Sequence, residues 1–518
     1  MTSSLTTRRT FLGASVGALA LAGLTACADP AISPQPSGRI LPTDPLVAEY
    51  EKRRAASGTT VTHRLSAAPL ETSLQGRGLT TWGYNDGLNG PLLRAQTGDL
   101  LKVSVANDLP EDTTVHWHGL ALRNDADGVQ GVTQDPIAAG GRYTYGFRLS
   151  HPGTYWYHSH FDTQRERALY GALIVEDPNE PLSYDQEWVV ILDDWLDGIT
   201  GTPQDVVEEL SAGMDMSGDM EGMAGMDHGS MSQDSSSGMP MKHMLMGAES
   251  DYLGGDAGDV KIPVHLFNGR PPSDPDTFSS TPGNRIRLRL INAAGDTAYR
   301  VGIPGQELTI THTDGFPVQP RQADAVVLGM GERLDVLITL GDQAVPVLAL
   351  PEGKTGHAYG IIAAGPKTTL SGRLPQTLGG TVLDGSRLKA HESVLLPPKD
   401  PTRTHEVRLT GSMMEYDWGI NGRRFDPANP FEGAFELRLD ERVRVTMTND
   451  TDMWHPMHLH GHTFQLADNG ARKDTVIVKP RQTIVFDFEA DNPGQWLTHC
   501  HNAYHAEAGM MGVFSYIH

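Results

Sequence analysis

Ten of the chain's 21 histidines fall in four short runs: His116-Trp117-His118, His158-Ser159-His160, His455-Pro456-Met457-His458-Leu459-His460, and His499-Cys500-His501 with His505. In an extended strand, residues i and i+2 project from the same face. Each His-x-His therefore offers two imidazoles side by side, as a metal site requires. Imidazole suits copper, zinc, iron and nickel, and the cysteine discriminates among them. In His499-Cys500-His501 the imidazoles face one way and the thiolate the other, so one strand can touch metal centres on two sides. His455, Cys500 and His505 supply two imidazoles and a thiolate, and Met510 a weak fourth ligand. That set is the signature of a blue-copper electron-transfer site.

The elements that must position these side chains are strands. Gly98–Asn107, Gly283–Asn292 and Asp440–Asn449 each alternate apolar and polar residues and each end in Asn. Period-two patterning means a strand with one buried face, and three similar copies predict three homologous β domains. A second repeat links only the first and last copies: Pro152-Gly153-Thr154-Tyr155-Trp156-Tyr157-His158-Ser159-His160 matches Pro493-Gly494-Gln495-Trp496-Leu497-Thr498-His499-Cys500-His501. The middle copy has no such His-x-His. No long helical pattern stands out, and 57 Gly with 34 Pro suit many turns, so the expected fold is all-β sandwiches. A net charge of −23 argues against a nucleic-acid partner. Two cysteines, Cys27 and Cys500, exclude a disulfide framework.

The first residues read as an address. Thr7-Arg8-Arg9-Thr10-Phe11-Leu12 is a twin-arginine pattern, followed by a weakly apolar run to Ala26 that is too short to span a bilayer well. Leu24-Thr25-Ala26-Cys27 resembles a bacterial lipobox, in which the cysteine is acylated. The expected layout is a signal at 1–27, a tether at 28–58, and domains at 59–178, 179–389 and 390–518. Export by the twin-arginine route and a lipid anchor to the cell-envelope membrane through Cys27 follow as expectations.

Taken together, the runs His116-x-His118-Gly119, His158-x-His160, His455-x-x-His458-x-His460 and His499-Cys500-His501-x-x-x-His505-x-x-x-x-Met510 resemble, in order, the motifs of multicopper oxidases. The resemblance implies three cupredoxin-like Greek-key domains and four copper ions. It implies a type 1 copper on His455, Cys500, His505 and Met510 and a type 2 copper on His116 and His458. It implies one type 3 copper on His118, His158 and His501 and another on His160, His460 and His499. A reductant would give electrons singly to the type 1 site, and dioxygen would be reduced to water between the first and third domains. Ser159 stands where Cys500 stands in the other copy, so the first domain is expected to hold no blue copper. Asp127 matches the family's acid near the type 2 copper and is expected to supply protons. The acid that often follows the last type 1 histidine is absent, because Ala506 holds that position, and Glu507 stands next to it.

The reductant is signalled by methionines. Residues 211–247 hold ten of the chain's 19 methionines in a Gly- and Ser-rich stretch that also carries His228 and His243. Thioethers prefer Cu(I), and the stretch resembles the methionine-rich inserts of bacterial copper-tolerance cuprous oxidases, although it falls in the middle domain. It lacks Leu, Val and aromatics over most of its length and is expected to bury no core. Met453 matches a cuprous-substrate methionine of those enzymes, and Asp452 stands one position from their aspartate. Asp452 and Met453 are therefore expected to bind Cu(I) beside His455. A cuprous oxidase with possible phenol oxidation is the first reading; a laccase acting on organic phenols, or a non-catalytic copper-storage lipoprotein, are the alternatives.

Overall fold

The computed structural model describes residues 38–213 and 242–518. Strands between residues 60 and 176 form two four-stranded sheets, those between 186 and 384 two six-stranded sheets, and those between 403 and 516 a six- and a five-stranded sheet. A two-stranded ribbon, Glu249–Ser250 with Gly255–Asp256, is added to the middle unit. Each sheet pair buries an apolar face against its partner, because period-two strands must cover that face.

The three repeated strands occupy equivalent places. Leu100–Asn107 runs parallel to Thr60–Leu74, Arg285–Asn292 to Gln186–Trp195, and Arg442–Asn449 to Arg403–Thr410. The asparagine that ends each one is fully buried and does one job three times. Asn107 Nδ2 donates to the carbonyls of Glu111 and Ile137, Asn292 Nδ2 to Thr297 and Leu328, and Asn449 Nδ2 to Met453 and Val478. Each amide satisfies buried carbonyls that the departing chain leaves unpaired.

Two boundaries differ from the sequence expectation. The tether expected over 28–58 is packed structure from Arg39 onward: Ile40 N donates to Tyr516 O at 2.9 Å, and Arg39 bridges Ile517. A helix, Pro45–Arg53, follows, with Asp44 accepting from Leu46 N at its start. Ile40 and Val47 bury their side chains in the core of the third sandwich, which is why this polar-looking segment is held. The second difference is at the end of the methionine-rich stretch. Met244 is 1% exposed, bridges Val260 and joins the same core. The remainder of that stretch, 214–241, lies outside the described residues, as do the twin-arginine pattern and Cys27. Among the described residues no helix is long and apolar enough to cross a membrane.

Candidate metal centre

Strand register gathers the histidines. In the first sandwich His116 pairs across the sheet with His158, and in the third His458 pairs with His499 and Met457 with Cys500. The two sandwiches face each other so that side chains from both ends of the chain share one buried space. Within it, His118, His158 and His501 place ligand atoms within 4.8 Å of one another, and so do His160, His460 and His499, and His116, His118 and His458. His455, Cys500 and His505 form a separate trio on the far face of the Gln495–Cys500 strand. Their ring nitrogens approach to 3.0 Å, and Cys500 Sγ lies 3.7 Å from His455 Nδ1 and 3.6 Å from His505 Nδ1. Met510 is buried in the same cluster, and its carbonyl accepts from Cys500 N at 3.0 Å.

The histidines fit metal. Nδ1 of His116, His158, His458 and His499 each donates to a backbone carbonyl, that of Asp127, Ser159, Asp474 and Cys500 respectively, at 2.8–2.9 Å. A carbonyl only accepts, so each Nε2 is left as a lone pair pointing inward. Nε2 of His116, His158 and His458, and Nδ1 of His118, are buried with no hydrogen-bond partner. His499 Nε2 faces His460 Nε2 at 3.1 Å and His160 Nε2 at 3.4 Å. Lone pairs aimed at one another in a dry site repel unless a cation sits among them. Burial, reinforced by the neighbouring imidazoles, pushes His118, His158, His455, His460, His499 and His501 far below the usual histidine range and His160 to about 3. Neutral imidazole is the form that binds copper.

The supporting acids come from all three sandwiches. Asp127 is fully buried at the end of a short turn; its Oδ2 lies 3.0 Å from His460 Nδ1 while its carbonyl holds His116. Asp474 lies 3.2 Å from His118 Nε2 and 3.5 Å from His458 Nδ1. Burial opposes its charge, but the Arg333 guanidinium grips it twice, at 2.7 and 2.6 Å, and holds its carboxyl well below the usual range. Arg333 belongs to the middle sandwich. So does Gly331, at φ +86°, where a Cβ would fall 2.9 Å from His501 and 3.0 Å from His118. His505 Nε2 lies 2.8 Å from Asp259 Oδ2, also from the middle sandwich, and that oxygen accepts from Tyr416 OH as well. Trp418 packs 4.5 Å from the His505 ring, and His505 is fully buried.

The pair expected beside His455 is not a pair. Asp452 points to solvent and binds Arg481 at 2.7 Å, whereas Met453 is buried in the core cluster that contains Cys500. Neighbouring residues of this turn face opposite ways, so they share no site. Thr451 takes the supporting role instead, with Oγ1 2.8 Å from His455 Nε2. Glu507 stands at the mouth of a cavity of about 40 Å³ whose wall includes His158, His160 and His499. Asp259, Arg333 and Asp474 were not legible in the sequence, because single polar residues among apolar ones carry no spacing.

Multicopper oxidase family models match residues 69–180, 187–349 and 397–517. The chain is 42% identical to multicopper oxidase MmcO of Mycobacterium tuberculosis, over 98% of this chain and 96% of that one. It is 29% identical to copper resistance protein A of Escherichia coli, over 82% and 87% of the two chains. A fold likeness extends to the crystal structure of Fet3p, described as a multicopper oxidase that functions in iron import, with TM-score 0.71 and 20% identity over 88% of this chain and 90% of that one. The chain belongs to the multicopper oxidase family, whose members carry four coppers of types 1, 2 and 3 and reduce dioxygen with electrons from a reductant.

Proposed function

We propose that this oxidase takes its electrons chiefly from Cu(I) and serves copper tolerance. The observation that carries the reading is the cover over His505. Tyr416, Trp418 and Asp259 close around the ring, which leaves no face for a phenol to stack on. Electrons must then cross this cover from a donor held outside it. Methionines gather there: Met413 and Met414 precede Tyr416, with Met414 45% exposed, and a Cβ on Gly213 would lie 3.1 Å from Met414 O. Met244, on the other side of the methionine-rich stretch, packs in the same core as Tyr416 and Trp418. The stretch thus leaves and rejoins the described chain beside the type 1 face, and soft thioethers suit Cu(I). The relatives named for copper resistance favour the same reading.

In this reading His455, Cys500, His505 and Met510 hold the type 1 copper, and His116 and His458 the type 2 copper. His118, His158 and His501 hold one type 3 copper, and His160, His460 and His499 the other. The coppers, when bound, store electrons and bind dioxygen. The chain's own part is to fix the imidazoles, to connect the two compartments through Cys500 and its flanking histidines, and to deliver protons, with Asp127 on the type 2 side. Twin-arginine export and acylation of Cys27 would place the enzyme at the cell-envelope membrane.

Oxygen uptake by the copper-loaded chain with Cu(I), Fe(II) and a phenol side by side tests the substrate. Cu(I) is expected to give the highest kcat/KM, and deletion of residues 214–241 to lower it by about tenfold, the loss of a few soft ligands. Faster turnover of the phenol than of Cu(I) by the intact chain would overturn the reading. Cys27→Ser is expected to release the protein from membranes into the soluble fraction.

A further inference from the structure

The cavity beside His160 and His499 contains a carboxyl that the metal site does not use. Glu166 sits on the turn Asp162–Arg167, and its side chain is 5% exposed. Arg165 Nε holds it at 3.0 Å. The far end of the same guanidinium lies 2.9 Å from His501 Nδ1 and donates to His501 O at 3.3 Å. The backbone of Gly295 closes over the carboxyl so tightly that a Cβ there would collide with it. Ala503 and Ala506, whose side chains have nothing polar to offer, also line the cavity, as do Asp162 and Glu507. Glu166 is therefore a buried acid, fixed in place, on the wall of a space that reaches the type 3 histidines.

We propose that Glu166 carries the protons consumed at the His160–His499 edge, taking them from solvent and giving them up inside the cavity. The stoichiometry needs such a carrier. Four one-electron oxidations of the reductant supply four electrons, solvent supplies four protons, and one dioxygen becomes two waters. Each proton that Glu166 releases inward is replaced from the cavity mouth, so the residue is unchanged over a cycle.

The surroundings favour a carboxyl that holds a proton at neutral pH and can release it. Burial raises Glu166 to about 8; Asp194 and Asp296 push the same way, and Arg165 opposes them. Other ionisable groups that face it are Asp193, which burial raises well above the usual carboxylate range, and Tyr170, Tyr299 and Tyr504, which burial raises well above the usual phenol range. The inference is independent of which reductant feeds the type 1 site, so a wrong substrate assignment would not mimic its failure.

The test compares copper-loaded wild type, Glu166→Gln, Glu166→Asp and Glu507→Gln. Glu166→Gln is expected to lower kcat for oxygen uptake by roughly 10²-fold, the usual worth of a positioned proton donor. Anaerobic reduction of the type 1 copper should keep its rate, and Glu166→Asp, which still carries a proton, should recover part of kcat. Infrared spectra of the loaded resting enzyme supply a readout other than activity. A protonated carboxylic C=O band that titrates near pH 8 should vanish in Glu166→Gln and persist in Glu507→Gln. A kcat within twofold of wild type at every pH, or a band that survives Glu166→Gln, overturns the proposal.

Discussion

The ring of His505 is held at both ends, by the copper-facing trio through Nδ1 and by the Asp259 carboxylate through Nε2. A carboxylate on the outer nitrogen enriches the imidazole and stabilises the oxidised metal, whereas His455 has only the neutral Thr451 hydroxyl. Asp259→Asn is expected to raise the type 1 reduction potential and to weaken copper retention by about 10–100-fold. Potentiometry and copper titration check both. Cys500→Ser should remove the intense blue absorption and leave about three coppers per chain instead of four, because a hydroxyl does not replace a thiolate at such a site. Visible spectra and metal analysis decide it. Substrate oxidation should cease in the same variant, since Cys500 and its flanking histidines join the two compartments.

At the scale of elements, the site depends on register and on one buried ion pair. Cross-strand partners such as His458 and His499 meet because the strands align, and a slip by one residue would turn every imidazole to the wrong face. Arg333 and Asp474 are both fully buried, so removing the guanidinium leaves the Asp474 carboxylate without its cation. Arg333→Met is expected to cost about 3–5 kcal/mol of stability and to loosen the copper near His118 and His458. Thermal unfolding and copper content measure the two effects. The strands and the histidine runs were legible in the sequence because both follow a period of two. The closing residues Asp259, Arg333 and Asp474 were not, since long-range pairing writes no local pattern. Asp452 misled for a related reason: proximity to His455 in sequence does not fix which way a turn residue points. Ile40 and Val47, two apolar residues among many polar ones, were too sparse to announce that their segment is packed.

At the scale of the molecule, several buried acids hold protons that the unfolded chain would lose. Glu166 lies at about 8, Glu332 at about 7 and Asp296 at about 6, each raised first by burial. On their own these carboxyls make stability fall as pH rises towards those values, but the buried histidines, held neutral in the fold, outnumber them and act the other way, because the unfolded chain protonates its imidazoles below about pH 6.5. The melting temperature is therefore expected to rise from pH 5 to pH 7, and more steeply in Glu166→Gln, which lacks one of the opposing carboxyls; calorimetry across that range checks the slope. The ligand sets also come from the two ends of the chain, with His118 and His158 answering His501, and His160 answering His460 and His499. A nascent polypeptide still lacking residues 499–518 has neither the thiolate nor the closing imidazoles. Copper insertion must therefore wait until residues 499–510 have been made and the outer sandwiches have docked.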